Sequence, residues 1–232
     1  MKVRRTGLIA GLAGLLAMTT ACGVGAPEHA KTDSYDVTGT VTALQVAADD
    51  GTIEVIESDR QGVRVTEKHA WSGDRPPQAS HEVKGGTLVL AYTCPSGWGA
   101  LVHCDVDYTV EIPRGLRVKA ETDSGAVTLR DLSGEVEASS DSGRIEATGL
   151  SSGRVVAGTD SGGIALTFAA PPEKVETRSD SGSSVVRVPE GPYDITATTD
   201  SGGRRIDAAH EAGAPRTIDV RSDSGDVDVL PA

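Results

Sequence analysis

Val136-Glu137-Ala138-Ser139-Ser140-Asp141-Ser142-Gly143 decides the fold, because it returns almost unchanged as Val155-Val156-Ala157-Gly158-Thr159-Asp160-Ser161-Gly162. The Asp-Ser-Gly triplet begins at Asp123, Asp141, Asp160, Asp180, Asp200 and Asp223, with spacings of 18, 19, 20, 20 and 23 residues. A period near twenty marks a solenoid, in which each repeat is one coil resting on the last. Five residues before each aspartate stand Val118, Val136, Val155, Val175, Ile195 and Ile218. Three before it stand Ala120, Ala138, Ala157, Thr177, Ala197 and Val220, and a Ser or Thr always precedes it directly. Polar residues fill the places between, so each segment reads as a strand with one buried and one wet face.

After the glycine a second alternating strand begins, as in Val127 and Leu129, Ile145 and Ala147, or Ile164, Leu166 and Phe168. Looser turns such as Ser133-Gly134, Ser152-Gly153 and Pro171-Pro172 then close the half-coil. The expected fold is all-β: a parallel β-solenoid of roughly six coils over residues 114–232, its strands stacked about 4.8 Å apart. One Phe in the whole chain implies a narrow lumen. At the corners, Gly125, Gly143, Gly162, Gly182, Gly202 and Gly225 are expected to supply positive φ. The aspartates are expected to accept backbone N–H groups two residues on, and the Ser/Thr hydroxyls to stack as a ladder.

Catalytic readings of the triplet fail on chemistry. Gly158-Thr159-Asp160-Ser161-Gly162-Gly163 resembles the nucleophile loop of trypsin-like proteases. A nucleophilic serine needs a histidine base and an orienting acid. His69 lies in Glu67-Lys68-His69-Ala70-Trp71, outside the flanking sequence those proteases use, and six nucleophiles would serve no mechanism. A calcium ladder would place carboxylates one coil apart, repelling by about 0.9 kcal/mol in water. Calcium draws six to eight oxygens, and one aspartate per coil is sparse for that. A glycosidase needs two convergent carboxylates with separated pKa values, whereas the acids here are spread evenly. No catalytic residue, metal ligand or cofactor is therefore assigned.

Residues 1–21 read as an export signal: Lys2, Arg4 and Arg5 precede an apolar run, Gly7 to Met18, too short to span a bilayer. Thr19-Thr20-Ala21-Cys22-Gly23 is similar to a bacterial lipobox, with Thr19 where Leu is usual. That resemblance implies acylation of Cys22 and a place at the outer face of the cell membrane. Ordinary secretion, with cleavage after Val24-Gly25-Ala26, is the alternative. Residues 22–34 form the anchor and a polar tether. The chain holds 22 basic and 34 acidic residues for a net charge of −12; loss of the signal leaves 19 basic residues and −15. Such a surface disfavours nucleic acid and anionic lipid headgroups.

Residues 35–113 are β-rich without the repeat and are expected to form an irregular cap, with turns at Asp49-Asp50-Gly51 and Asp59 to Gly62. Cys94 and Cys104 are expected to pair as a disulfide, as export permits, stabilising by about 2–3 kcal/mol. Zinc would lack ligands there. The loop they bound carries Trp98, either a contact point for a partner or a side chain packed over Tyr92 and Tyr108. At the far end Asp226, Asp228 and Pro231 are expected to discourage edge pairing.

The repeated Val-x-Ala-x-Thr-Asp-Ser-Gly, introduced by Val110-Glu111-Ile112-Pro113, resembles the DUF4097 family of β-strand-repeat, adhesin-like proteins over roughly residues 35–232. The resemblance implies a right-handed parallel β-solenoid, often attached to bacterial membranes. It carries over no ligand residue, because its motif consists of turn and core positions. The expected role is that of a non-enzymatic envelope lipoprotein whose solenoid surface binds or scaffolds an envelope macromolecule. A passive spacer and, less favoured, a carbohydrate-active β-helix are the alternatives.

Overall fold

The computed structural model describes residues 27–95 and 103–232. Among the described residues the chain forms nineteen strands and no helix. In chain order these begin with β1 (His29–Val37), β2 (Ala43–Ala48), β3 (Ile53–Glu57), β4 (Val63–Trp71), β5 (Gln78–Lys84), β6 (Thr87–Thr93) and β7 (Cys104–Ile112). The repeat supplies β8 (Arg117–Thr122), β9 (Val127–Arg130), β10 (Val136–Ser140), β11 (Ile145–Leu150), β12 (Arg154–Thr159), β13 (Ile164–Phe168), β14 (Lys174–Ser179) and β15 (Ser184–Val188). The chain ends with β16 (Asp194–Ser201), β17 (Arg204–Ile206), β18 (Thr217–Ser224) and β19 (Val227–Pro231).

Two sheets face each other. Sheet A runs β1-β4-β7-β3-β9-β11-β13-β15-β19-β17, and sheet B runs β16-β18-β14-β12-β10-β8-β2-β6-β5. Each Asp-Ser-Gly corner carries the chain from B to A, and each looser turn carries it back. The Val/Ile column pairs in register, with Val118 beside Val136, Val136 beside Val155, and Val155 beside Val175. These residues and the Ala column are buried, as are Leu129, Ile145, Leu166 and Phe168 from sheet A. The alternation in the sequence is thus the inside–outside alternation of the strands.

The stacking order departs from chain order at both ends. The last pair, β18/β19, does not end the stack beyond β16/β17; it lies between β14/β15 and β16/β17. Ile218 therefore pairs with Val175 on one side and Ile195 on the other. The 23-residue final spacing contains the extra length, His210 to Pro215, that lets the chain pass back over β16. Likewise β2/β3 lies between β6/β7 and β8/β9. The segment read as a cap thus contributes two pairs of parallel strands to the stack, and its antiparallel pairings are β1 with β4, β4 with β7 and β5 with β6. The stretch read as a tether enters the fold early, since His29 already pairs with Trp71.

The protected edge also lies elsewhere than expected. β19, with Asp226 just before it and Asp228 and Pro231 within it, is an interior strand between β15 and β17. The edge is formed instead by β16 and the three-residue β17. There His210 Nδ1 accepts the Ile195 N–H at 3.0 Å, covering part of the open ladder.

Candidate functional site

The corners are built by backbone contact rather than by the aspartate. None of the six glycines has positive φ. A Cβ on Gly143 would lie 1.8 Å from the Gly125 carbonyl oxygen, and one on Gly182 would lie 1.7 Å from that of Gly162. Glycine is required because each corner sits directly on the corner before it. The preceding hydroxyl closes the gap: Ser140 Oγ accepts the Gly143 N–H at 2.8 Å and donates to the Gly125 carbonyl at 3.3 Å. Thr159 and Ser179 repeat this arrangement, and Ser222 donates to Gly182 across the displaced coil at 3.0 Å. Ser142, Ser161 and Ser181 N–H groups donate to the aspartate carbonyl of the neighbouring corner, each at 2.8 Å.

Among the described residues the six triplet carboxylates accept no hydrogen bond from their own corner; Asp180 alone has an ionic neighbour, Arg178, at 3.8 Å. Asp123, Asp141, Asp160, Asp180, Asp223 and Asp200 project as an acidic ridge, in that spatial order. Asp49-Asp50-Gly51 joins it as a further corner, for Thr122 Oγ1 donates to the Asp49 and Gly51 carbonyls at 3.0 and 3.2 Å. Burial, then the Asp123 and Asp50 carboxylates, push the Asp49 carboxyl above its ordinary value. No group of three or more His, Cys, Asp or Glu side chains suited to a metal ion occurs among the described residues.

A second polar cluster lies inside the cap. Glu67 and His69 are buried, as their place two and four residues after Val65 on the inward phase of β4 implies. Tyr35 donates to Glu67 Oε1 at 2.6 Å, and His69 Nε2 lies 3.4 Å from Glu67 Oε2 and 3.6 Å from Asp33. Burial first, then the Glu67 carboxylate, raise the Tyr35 and Tyr108 phenols far above the ordinary tyrosine value, so both remain neutral. Buried Glu57 holds the opposite corner, accepting from Gly115 N–H at 3.1 Å and from Ser133 N–H and Oγ at 2.9 and 2.7 Å. Neither glutamate was singled out by motif; the inward phase of their strands was the available signal.

Cys94 and Cys104 form a disulfide, with Cα atoms 6.1 Å apart, joining the ends of β6 and β7. Cys22 and Trp98 lie outside the described residues. The Tyr92 and Tyr108 rings stand 6.5 Å apart beneath this end of the stack.

The outer face of sheet B carries three shallow grooves of about 290, 410 and 230 Å³. The first and second share Val156, and the second and third share Gly158 and Arg178, so they form one furrow across the strands. Charges of both signs line it: Lys119 bridges Glu121 and Glu137 at 3.0 and 3.3 Å, and Arg221 binds Asp219 at 2.7 Å.

Comparisons with known proteins agree with this architecture. The chain is similar in structure to a "putative cell adhesion protein" of Clostridium sporogenes at 14% identity, covering 88% of this chain and all of that one, with a TM-score of 0.50. A "putative adhesin" of Bacteroides fragilis matches at 15% identity over 90% of this chain and all of that one, with a TM-score of 0.48. At such identity the first likeness bears on the fold alone. No curated protein matches the chain. The model of the family described as Toastrack DUF4097 matches residues 105–230, more than half of the 232 residues, and the chain belongs to that family.

Proposed function

We propose that this protein is a non-enzymatic, extracytoplasmic binding or scaffolding module, held to the cell membrane through an acylated Cys22. The observation that carries the reading is the pair of long sheet faces, whose outward positions are polar, regular and locked in register. Stacked repeats of this kind offer extended surfaces to partners. The adhesion-related name of the Clostridium sporogenes neighbour lends support. With this reading go a signal at residues 1–21, an anchor and short tether ending where β1 begins at His29, a cap to residue 113, and the Asp-Ser-Gly stack beyond it. The winding is proposed to be right-handed, the hand that β-crossover connections favour. Trp98 is a proposed contact in the disulfide-bounded loop.

Cross-linking intact cells of a native-type host, followed by mass spectrometry, tests the proposal. A single reproducible partner recovered with the anchored chain is the expected result. Recovery of abundant envelope neighbours alone would favour a passive spacer. Loss of membrane association in Cys22→Ser is expected, and its persistence would remove the anchor.

A further inference from the structure

Gly158 is the fifth of the six residues of β12, with neither reason that normally puts glycine in a strand. Its φ is not positive, and an added Cβ would meet only the Arg178 carbonyl oxygen, at 4.0 Å. A strand glycine weakens the strand and often marks a place where a ligand or another backbone comes close. Among the described residues no backbone comes closer than that carbonyl. What the missing side chain does provide is the floor of the furrow, shared by two of its three parts.

The furrow crosses seven neighbouring strands, β6, β2, β8, β10, β12, β14 and β18, so it is roughly 29 Å long at about 4.8 Å per strand. Its lining selects the occupant. The strands beneath it spend their backbone groups on both neighbours, leaving nothing for an added peptide strand to pair with. The lining holds arginines but no Trp or Tyr, so it lacks the bulky aromatic anchors that dominate protein–protein contacts. Cations and anions alternate along it, so a polyanion would meet Glu135, Glu137, Glu176 and Asp219, and a polycation would meet the arginines. A chain of hydroxyl groups suits both signs at once, donating to the carboxylates and accepting from the guanidinium groups. Arg117 and Arg154 make no ion pair within the described residues, which leaves their donors free. Val156 and Gly158 give a narrow apolar strip for the C–H face of a sugar ring.

We infer that the outer face of sheet B binds a linear, uncharged polysaccharide laid along the stack axis. The inference rests on the binding-module reading above and gives it a face and a ligand class.

The full chain is tested for retention and by isothermal titration with dextran, mannan and xylan, with polygalacturonate as the acidic comparison. Retention by at least one neutral polymer is expected. Gly158→Leu should weaken it at least tenfold with no fall in Tm, since the position has room and leucine suits a strand better than glycine. Thr128→Leu, on the outer face of sheet A, should bind as the parent does. Retention of polygalacturonate alone, of none of the four, or equal binding by Gly158→Leu overturns the inference. Cellular cross-linking separates this failure from that of the broader reading. A partner captured equally by parent and Gly158→Leu removes only the furrow, whereas no partner for the parent removes the binding module itself.

Discussion

The Asp-Ser-Gly stack and the cap solve one problem, closing a corner between two sheets, by different means. In the stack, glycine lets backbone touch backbone, and a short hydroxyl satisfies the one N–H left over. In the cap, long side chains do the work: Glu57 reaches across to Ser133, the Tyr92 hydroxyl accepts the Asp50 N–H at 3.3 Å, and a disulfide closes the first corner. The stack therefore depends at every corner on having no side chain, whereas the cap does so at Gly51, where a Cβ would lie 2.0 Å from the Val106 carbonyl oxygen, and otherwise relies on particular side chains. Mutations should divide accordingly.

The largest effect is expected at Gly143→Ala. The new methyl would collide with the Gly125 carbonyl, a backbone atom that cannot swing aside. A loss of at least about 3 kcal/mol is expected, or roughly 10 °C in Tm for a chain of this size. In the cap, Gly62 has φ +92° but open space around it, so Gly62→Ala should cost only about 1 kcal/mol. Equal losses in the two, measured by chemical denaturation, would end the distinction drawn between them.

Next comes the disulfide. Replacing Cys94 and Cys104 by Ser should cost about 2–3 kcal/mol. Hydrogen exchange should quicken in β5 to β7 and stay unchanged in β10, β12 and β14, because the bond spans only the first corner. Uniform acceleration would mean that cap and stack open as one unit.

Within a single corner, Ser140→Ala and Asp141→Ala should part company. The first leaves the buried Gly143 N–H without its acceptor, at about 1–2 kcal/mol. The second removes a carboxylate that bonds to nothing in its own corner, and should change stability by less than about 0.5 kcal/mol. A larger loss for Asp141→Ala would restore the aspartate as the corner's acceptor.

Periodicity made the buried columns legible, since inward Val136 and Ala138 repeat at every level with no competing pattern. The reason for glycine was not legible, because positive φ and close approach leave the same residue in the sequence. Chain order suggested stacking order, and failed where loops were long enough for the terminal pair to step past its neighbour. The ends could not be read because edge exposure depends on which strand lies last in space. Glu67 and His69 were visible as inward-phase positions on β4, but polar residues there run against the usual core pattern. The furrow left one sign, Gly158, indistinguishable by itself from the other strand and turn glycines.

Asp49 lies where the two regions meet, its corner resting against the Asp123 corner of the repeat. Its main-chain carbonyl accepts the Asp123 and Ser124 N–H groups at 2.9 and 3.0 Å, so Asp49→Asn leaves those bonds intact. The side chain is a different matter: burial first, then Asp123 and Asp50, hold its carboxyl above the ordinary value. A group whose pKa rises on folding binds its proton more tightly in the folded state. Its stabilising contribution is therefore complete below the unfolded carboxyl value, about 3.9, and is lost as pH rises through the higher folded value. Asp49→Asn should accordingly be more stable than the parent at pH 7, and the gain should vanish near pH 3. Because Asp49 is only partly desolvated and most of its side chain faces water, the gain should stay below about 0.5 kcal/mol and shrink further in 1 M salt. Denaturation curves for both proteins at the two pH values decide it. A variant less stable at pH 7 would mean that the junction needs this carboxylate as the cap needs Glu57, and the line between the two regions would move one corner into the stack.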